Sequence, residues 1–455
     1  MNRILFLFIS LPSILSASAQ NDMLDAYIQT ALDSNLALRQ KEYSYQKSLE
    51  ALKEAKRMFL PTVSFDARYS VAEGGRTVEI PFGDMLNPVY SNLNQINQST
   101  NPSAPTYPQI ENPELNFVRS PEQETKLVAV LPVFNASIIQ NHKIKAGLVE
   151  VDKMSVDIYK RELVKEVKNA YVQYFRAGRL FLLYENTLNI VSRNLRNRES
   201  LFKNHKITID EVYAAKAQVK QAETDLAEAS KNKLLAISWF NFLLNRDFDA
   251  EIVIHEVVQP TISEYNLQDI TNKSVDNREE LKQLDQYLEI QTNKIDLQKG
   301  SALPTVSLFG QYGIQGTDYN IDSESDMAIF GASMRWDLFT SGQRKSKIKQ
   351  AEIDYKITEG RKMEAERQIQ LQAIEAYYSI QTAKKRIELA QEELIYTKKS
   401  YNLIEKKYQQ GMVNYLEYSS SLNNKINAEN KLILAQYNFQ MEQIKLERLT
   451  SSYQF

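Results

Sequence analysis

Leu60-Pro61-Thr62-Val63-Ser64-Phe65-Asp66-Ala67-Arg68-Tyr69-Ser70-Val71 is the stretch on which the fold turns, because its opening returns later as Leu303-Pro304-Thr305-Val306-Ser307. From Val63 to Val71 every odd position is apolar or small and every even one polar. Successive side chains of a strand point to opposite faces, so this period predicts a strand with one apolar and one polar face. Ala328, Phe330, Ala332, Met334, Trp336 and Leu338 form a second such face, with Ser333, Arg335 and Asp337 opposite, while 125–134 and 305–315 alternate less cleanly. Strands are expected at about 62–72, 124–134, 305–315 and 327–338. Two-faced strands of roughly ten residues suit the wall of a transmembrane barrel, with lipid outside and water inside. A half-buried strand of a soluble sandwich carries the same alternation. Four strands cannot close a membrane barrel, since such barrels begin at about eight, so a barrel here needs several chains.

Outward from the strands the two halves follow one plan. Asn35-Leu36-Ala37-Leu38 lies upstream of the first copy and Asn277-Arg278-Glu279-Glu280-Leu281 upstream of the second, each followed by a charged, helix-favouring stretch. Downstream, Val133-Phe134-Asn135 and Leu338-Phe339-Thr340 each open a very long run without proline. The order helix, strand, loop, strand, long helix, turn, long helix occurs twice, as in an internal duplication. In the second run Ile369, Ala373, Ala376, Ile380, Ala383, Ile387, Ala390, Leu394, Thr397, Tyr401, Ile404 and Tyr408 are spaced alternately four and three, the seam of a coiled coil. At 1.5 Å per residue a helix of 65–70 residues is roughly 100 Å long, so the body is expected to be elongated. The expected organisation is a signal peptide at 1–19, a first repeat at 20–245 with a helical hairpin at 135–245, a connector at 246–275, and a second repeat at 276–455 with a hairpin at 341–450. The second hairpin turns near Gly411, suited to a left-handed helix end, and the first near His205, where Thr208 or Asp210 can cap the returning helix.

Composition excludes several classes. Among 455 residues there is no cysteine, so disulfides, thiolate metal sites and cysteine nucleophiles are ruled out. His142, His205 and His255 are not spaced for a metal centre. The balance of 55 Lys+Arg against 57 Asp+Glu argues against nucleic acid as a partner. No paired nucleophile and base or phosphate loop occurs, so neither an enzyme nor a cofactor is expected. Arg3, the apolar run Ile4–Ile9 with Leu11, Ile14 and Leu15, and Ala17-Ser18-Ala19 read as a secretory signal, too short for a bilayer span. Nine of the 12 prolines lie from Pro61 to Pro132 and none follows Pro304. Most fall in 73–121, a Pro-, Asn- and Ser-rich segment expected to be a long outer loop.

The duplicated Leu-Pro-Thr-Val-Ser entries, Phe134-Asn135 and Phe339-Thr340 at the strand-to-helix passages, and the Tyr408/Gly411/Leu416 turn resemble the TolC-type outer membrane efflux family over nearly the whole chain. The loop runs Gly74-Gly75-Arg76-Thr77, Pro81-Phe82-Gly83-Asp84 and Asn87-Pro88-Val89-Tyr90 are similar to Bacteroidetes-type members. The resemblance implies an α+β membrane protein of two structural repeats. Each chain of a homotrimer would give four strands to one twelve-stranded outer membrane β-barrel and long coiled-coil-like helices to a periplasmic tunnel. It further implies passive conduction, outer membrane lipid around the barrel, and a periplasmic adaptor with an inner-membrane pump as partners, in efflux or type I secretion. For the periplasmic gate it implies a latch tyrosine at Tyr408, before Gly411. The family's latch arginine is replaced by Val413. One acidic ring falls on Glu417 and the second is lost to Ser420, while Asp210 and Glu211 stand near the first turn. Three Glu417 carboxylates around an axis would favour cations. An exported coiled-coil scaffold or adhesin without a pore is the alternative reading, which leaves the paired strands unexplained.

Overall fold

A computed structural model describes residues 15–253, 264–276, 278–319 and 325–450, with side chains from Met23 onward. The export segment expected at 1–19 lies, up to residue 14, outside the described residues, as do His255 and Pro260 in the connector. The elements in chain order are α1 (Leu15–Ser34), α2 (Leu36–Arg57), β1 (Thr62–Ser70), β2 (Thr77–Glu79), α3 (Phe82–Thr100), β3 (Glu114–Asn116), β4 (Glu122–Phe134), α4 (Ala136–Lys203), α5 (Ile209–Leu243), α6 (Leu267–Asp276), α7 (Glu279–Gly300), β5 (Thr305–Gly316), β6 (Asp326–Arg335), α8 (Gln343–Gln409) and α9 (Tyr415–Leu449). They group into two compact units: residues 53–142 with 295–348, and residues 1–52 with 143–294 and 349–455.

The first of these units is built on a sheet of order β1-β4-β5-β6, antiparallel throughout. Both Leu-Pro-Thr-Val-Ser copies enter it at matching points, Thr62 opening β1 and Thr305 opening β5. Proline has no N–H to give a ladder, so Pro61 and Pro304 stand just before the strands they introduce. Pro132 lies inside β4, which continues to Phe134 by shifting register between Pro132 and Phe134, and a bulge is where an interior proline is tolerated. Glycines admit the large rings of the β5–β6 pair: Gly331 faces Phe309, whose Cζ would lie 2.7 Å from an added Cβ, and Gly310 faces Phe330. The apolar side chains stay bare, Val63 at 69% and Phe330 at 82% exposure. β6 ends at Arg335, before Trp336 and Leu338, and the Trp336 indole N–H donates to the Ala302 carbonyl at 2.9 Å.

The segment 73–121 is the long connection from β1 to β4, and it carries regular structure of its own. It holds α3 and the two-stranded β2-β3 sheet. Its prolines mostly bracket the helix: Pro81 precedes the first turn and Pro102, Pro105 and Pro108 follow the last, with Pro88 alone inside. Its asparagines substitute side-chain amides for a ladder. Asn87 exchanges two hydrogen bonds with the Ile110 backbone, at 2.9 and 2.8 Å, and Asn94 two with Tyr107, at 2.9 and 2.7 Å. Asn112 Oδ1 accepts from the free N–H groups of Gly83 and Asp84, at 2.8 and 3.2 Å.

The helical unit is packed along the seam read from the sequence. Ile369, Ala373, Ala376, Ile380, Ala383, Ile387 and Ala390 of α8 are all buried, and from Ala373 onward they form one cluster with Ala435, Phe439 and Leu446 of α9. Alanine at four of these positions lets the backbones approach closely, while the isoleucines bury area worth about 1.5–3 kcal/mol each. A second core gathers Tyr27, Ala31, Leu38, Val164, Val167, Tyr171, Phe240 and Leu244 from α1, α2, α4 and α5. Asn35 separates α1 from α2; its Oδ1 accepts from the N–H of Ala37 and Leu38 at 3.0 Å, and its amide donates to the Leu243 carbonyl at 2.9 Å. Arg448, near the end of α9, is buried beside Glu280 at 2.7 Å and Glu162 at 3.4 Å, and Arg278 lies 3.0 Å from the other Glu280 oxygen. Burial alone would raise the Glu162 carboxyl, but the Lys165 ammonium and Arg448 outweigh it and hold it below the usual carboxylate range.

Candidate functional site at the helical turns

The α4–α5 and α8–α9 turns have the same geometry although they share little sequence. Gly411 takes a left-handed conformation at φ 73°, and His205 takes it at φ 55°. In the second turn the N–H of Gly411 donates to Tyr408 and that of Met412 to Lys407; in the first, His205 donates to Phe202 and Lys206 to Leu201. These pairs of bonds close the ends of both long helices in a Schellman arrangement. The returning helices are capped differently. Asn414 Oδ1 accepts from the Glu417 N–H at 2.9 Å, whereas Thr208 makes no side-chain cap bond. Asp210 and Glu211 occupy the first turn of α5 and Glu417 that of α9, where carboxylates complement the positive helix end.

Counted from the left-handed residue, Glu211 and Glu417 occupy the same place, six residues on. Their surroundings differ. Glu211 accepts from Arg198 Nη1 at 2.7 Å, and the Arg198 side chain is only 8% exposed. Glu417 is exposed, forms no ion pair among the described residues, and lines a groove with Ser400, Ile404, Asn414, Leu416 and Ser420.

Arg198 also covers aromatic rings of the second hairpin. Its guanidinium carbon lies 4.3 Å from the Tyr408 ring centre and 5.3 Å from that of Tyr415. Tyr408 stacks on Tyr418 at 4.5 Å with 12° between planes. The Tyr415 hydroxyl donates to Gln218 Oε1 at 2.6 Å, and Gln218 donates to Ser419 at 3.0 Å. The Tyr401 hydroxyl donates to Glu405 at 2.9 Å and lies 3.4 Å from that of Tyr418. Burial pushes the Tyr415 phenol up to about 12 against the opposing pull of Arg198, and raises Tyr401 and Tyr418 as well, so these three phenols stay protonated at neutral pH. The Tyr408 hydroxyl is buried without a hydrogen-bond partner among the described residues.

Tyr408 and Glu211 thus meet through one residue that sequence reasoning did not single out. Arg198 stands seven residues before His205 on α4, a different hairpin from the vacant arginine position at Val413. Val413, Ser420 and Asp210 lie outside this cluster. Tyr401 and Tyr408 are seven apart on α8 and Tyr415 and Tyr418 three apart on α9, spacings that put each pair on one helix face and could have flagged the aromatic cluster. Nothing in the sequence points from Arg198 to it.

Among the described residues no helix is long and apolar enough to cross a membrane and no group of acidic or histidine side chains could hold a metal ion. The fold defines a class: two repeats, each giving two strands and a hairpin of long helices, as in solved outer membrane channels. The Campylobacter jejuni CmeC outer membrane channel is 14% identical, with 94% of this chain and 85% of that one covered at a TM-score of 0.76. The outer membrane protein VceC from Vibrio cholerae is 14% identical, with 97% and 99% covered at 0.73. The open-state Neisseria gonorrhoeae MtrE outer membrane channel is also 14% identical, with 94% and 88% covered at 0.71. Residues 270–452 match the family model for the outer membrane efflux protein, in agreement with the TolC-type resemblance of the sequence. No curated protein sequence matches it.

Proposed function

We propose that the chain is one protomer of a passive outer membrane channel-tunnel. Three copies would close twelve strands into one barrel, and their helical hairpins would form a tunnel through the periplasm. The tunnel would receive substrates from a periplasmic adaptor and an inner-membrane pump, in a tripartite efflux or type I secretion system. The observation carrying this reading is the sheet β1-β4-β5-β6, with strands of 9 to 13 residues, whose outer strands β1 and β6 each keep one edge unpaired among the described residues. Exposed ladders of this length are covered or closed in stable proteins, and four strands are about half the smallest membrane barrel. Closure by identical copies satisfies every edge without a further partner.

The helical turns would then lie at the periplasmic end. There Tyr408, Gly411, Glu417, Asp210, Glu211, Val413 and Ser420 would line or support a constriction, with Arg198 fastening the two hairpins of a protomer. The test is assembly. Extracted and purified protein should run in native mass measurements as a detergent-bound trimer and conduct ions in planar bilayers. A monomer soluble without detergent overturns the proposal.

A further inference from the structure

The segment between β1 and β4 carries a second coiled-coil seam. On α3 the residues Phe82, Leu86, Val89, Leu93 and Ile96 are spaced four, three, four and three, the arithmetic that α8 uses to bury Ile369 through Ala390. On α3 all five are exposed, from 38% at Leu86 to 60% at Ile96. The stripe one residue further round is already occupied. Gly83 is buried and Asn87, Tyr90, Asn94 and Asn97 are half-buried beneath the chain's own extended segment 107–112, through the asparagine bonds described above and the stacking of Tyr90 on Tyr107 at 5.3 Å. An added Cβ at Gly83 would lie 2.3 Å from the Ile110 carbonyl, so that flank admits nothing else. Pro88 falls outside the seam.

We propose that this seam pairs with the same helix of the other copies, forming a three-helix cap at the barrel mouth. The inference rests on the trimeric reading above. Two observations select a copy of this chain as the occupant. First, α3 has no Lys or Arg, its one charge being Asp84, whereas a helix lying on an anionic membrane surface carries cations along its polar face. Second, α3 sits on the connection from β1 to β4, which leaves and re-enters the sheet at the paired residues Ser70 and Glu122. The open edge of β1 is where a neighbouring copy must attach, so the surface that needs a partner and the surface that needs closing belong to one continuous stretch. Each seam side chain is of the size that trimeric seams bury, and the surrounding Asn, Gln and Ser would form the solvated faces of the bundle.

The absence of cysteine from the chain makes the test direct. Val89→Cys, Leu93→Cys and, on the opposite side of the helix, Ser91→Cys are each introduced into the full chain, assembled in membranes and oxidised. Val89→Cys and Leu93→Cys should give a covalent dimer on non-reducing gels, leaving one chain of each three unpaired, while Ser91→Cys stays monomeric. Failure of both seam positions to cross-link in a trimer whose native mass is intact overturns the cap. Reaction of the same cysteines with a lipid-borne maleimide would then assign the stripe to the membrane surface. A monomeric native mass in detergent is the separate result that overturns the assembly reading, and the cap with it.

Discussion

At the scale of single residues, the arginine that matters at the turns is on the other hairpin from the one a family pattern points to. Arg198 makes a 2.7 Å bond to Glu211 while its flat guanidinium covers Tyr408 and Tyr415. A lysine would keep the charge but lose both the stacking and the fork geometry. Removing the side chain forfeits a charge-assisted hydrogen bond and two ring contacts in a poorly solvated place, about 2–4 kcal/mol in all. Arg198→Ala should therefore lower the thermal midpoint and raise the basal conductance of reconstituted channels, and Arg198→Lys should restore little of either. Tyr408→Phe is the internal control. Its hydroxyl is buried with no partner within the described residues of one chain, so removing it should leave stability unchanged or raise it. A loss of stability would show that the hydroxyl is bonded across chains.

At the scale of elements, each hairpin depends on one left-handed residue. Glycine reaches positive φ freely, whereas a residue with a Cβ is strained there by about 1–2 kcal/mol. The second turn has Gly411 and the first has His205 in the same role, closing equivalent hydrogen bonds. Gly411→Ala should thus destabilise by about 1 kcal/mol and His205→Gly should stabilise by a similar or smaller amount, read from chemical unfolding of the detergent-solubilised protein. Opposite signs at two positions that align poorly in sequence would establish that the turns are repeats of one device. The same scale explains how the long loop 73–121 comes to hold regular structure. Proline and asparagine counts predict irregular backbone, yet the prolines flank α3 and the asparagines replace ladder bonds with side-chain ones.

At the scale of the whole molecule, a single chain leaves surfaces open. Among the described residues β1 and β6 end the sheet with unpaired edges, and apolar side chains on the strands and on α3 remain bare. Threefold assembly would also turn one exposed Glu417 into a ring of three carboxylates, where like charges close together favour a passing cation. Glu417→Gln should reduce cation selectivity, or block by divalent ions, in planar bilayers. Unchanged reversal potentials and block would remove Glu417 from the conduction path. Glu211, its counterpart in the first repeat, is already neutralised by Arg198 and should affect stability more than selectivity. The sequence by itself determined the strands, the long helices, the buried seam and the left-handed turn at Gly411, because alternation, heptads and glycine placement are local properties that neighbouring residues impose on one another. Only the tertiary structure decided that Arg198 reaches Tyr408, that Asn87 and Asn94 hold a segment beside α3, and that the α3 seam stays uncovered. Those outcomes depend on which segments far apart in the chain come to lie together, and no spacing within one segment records them.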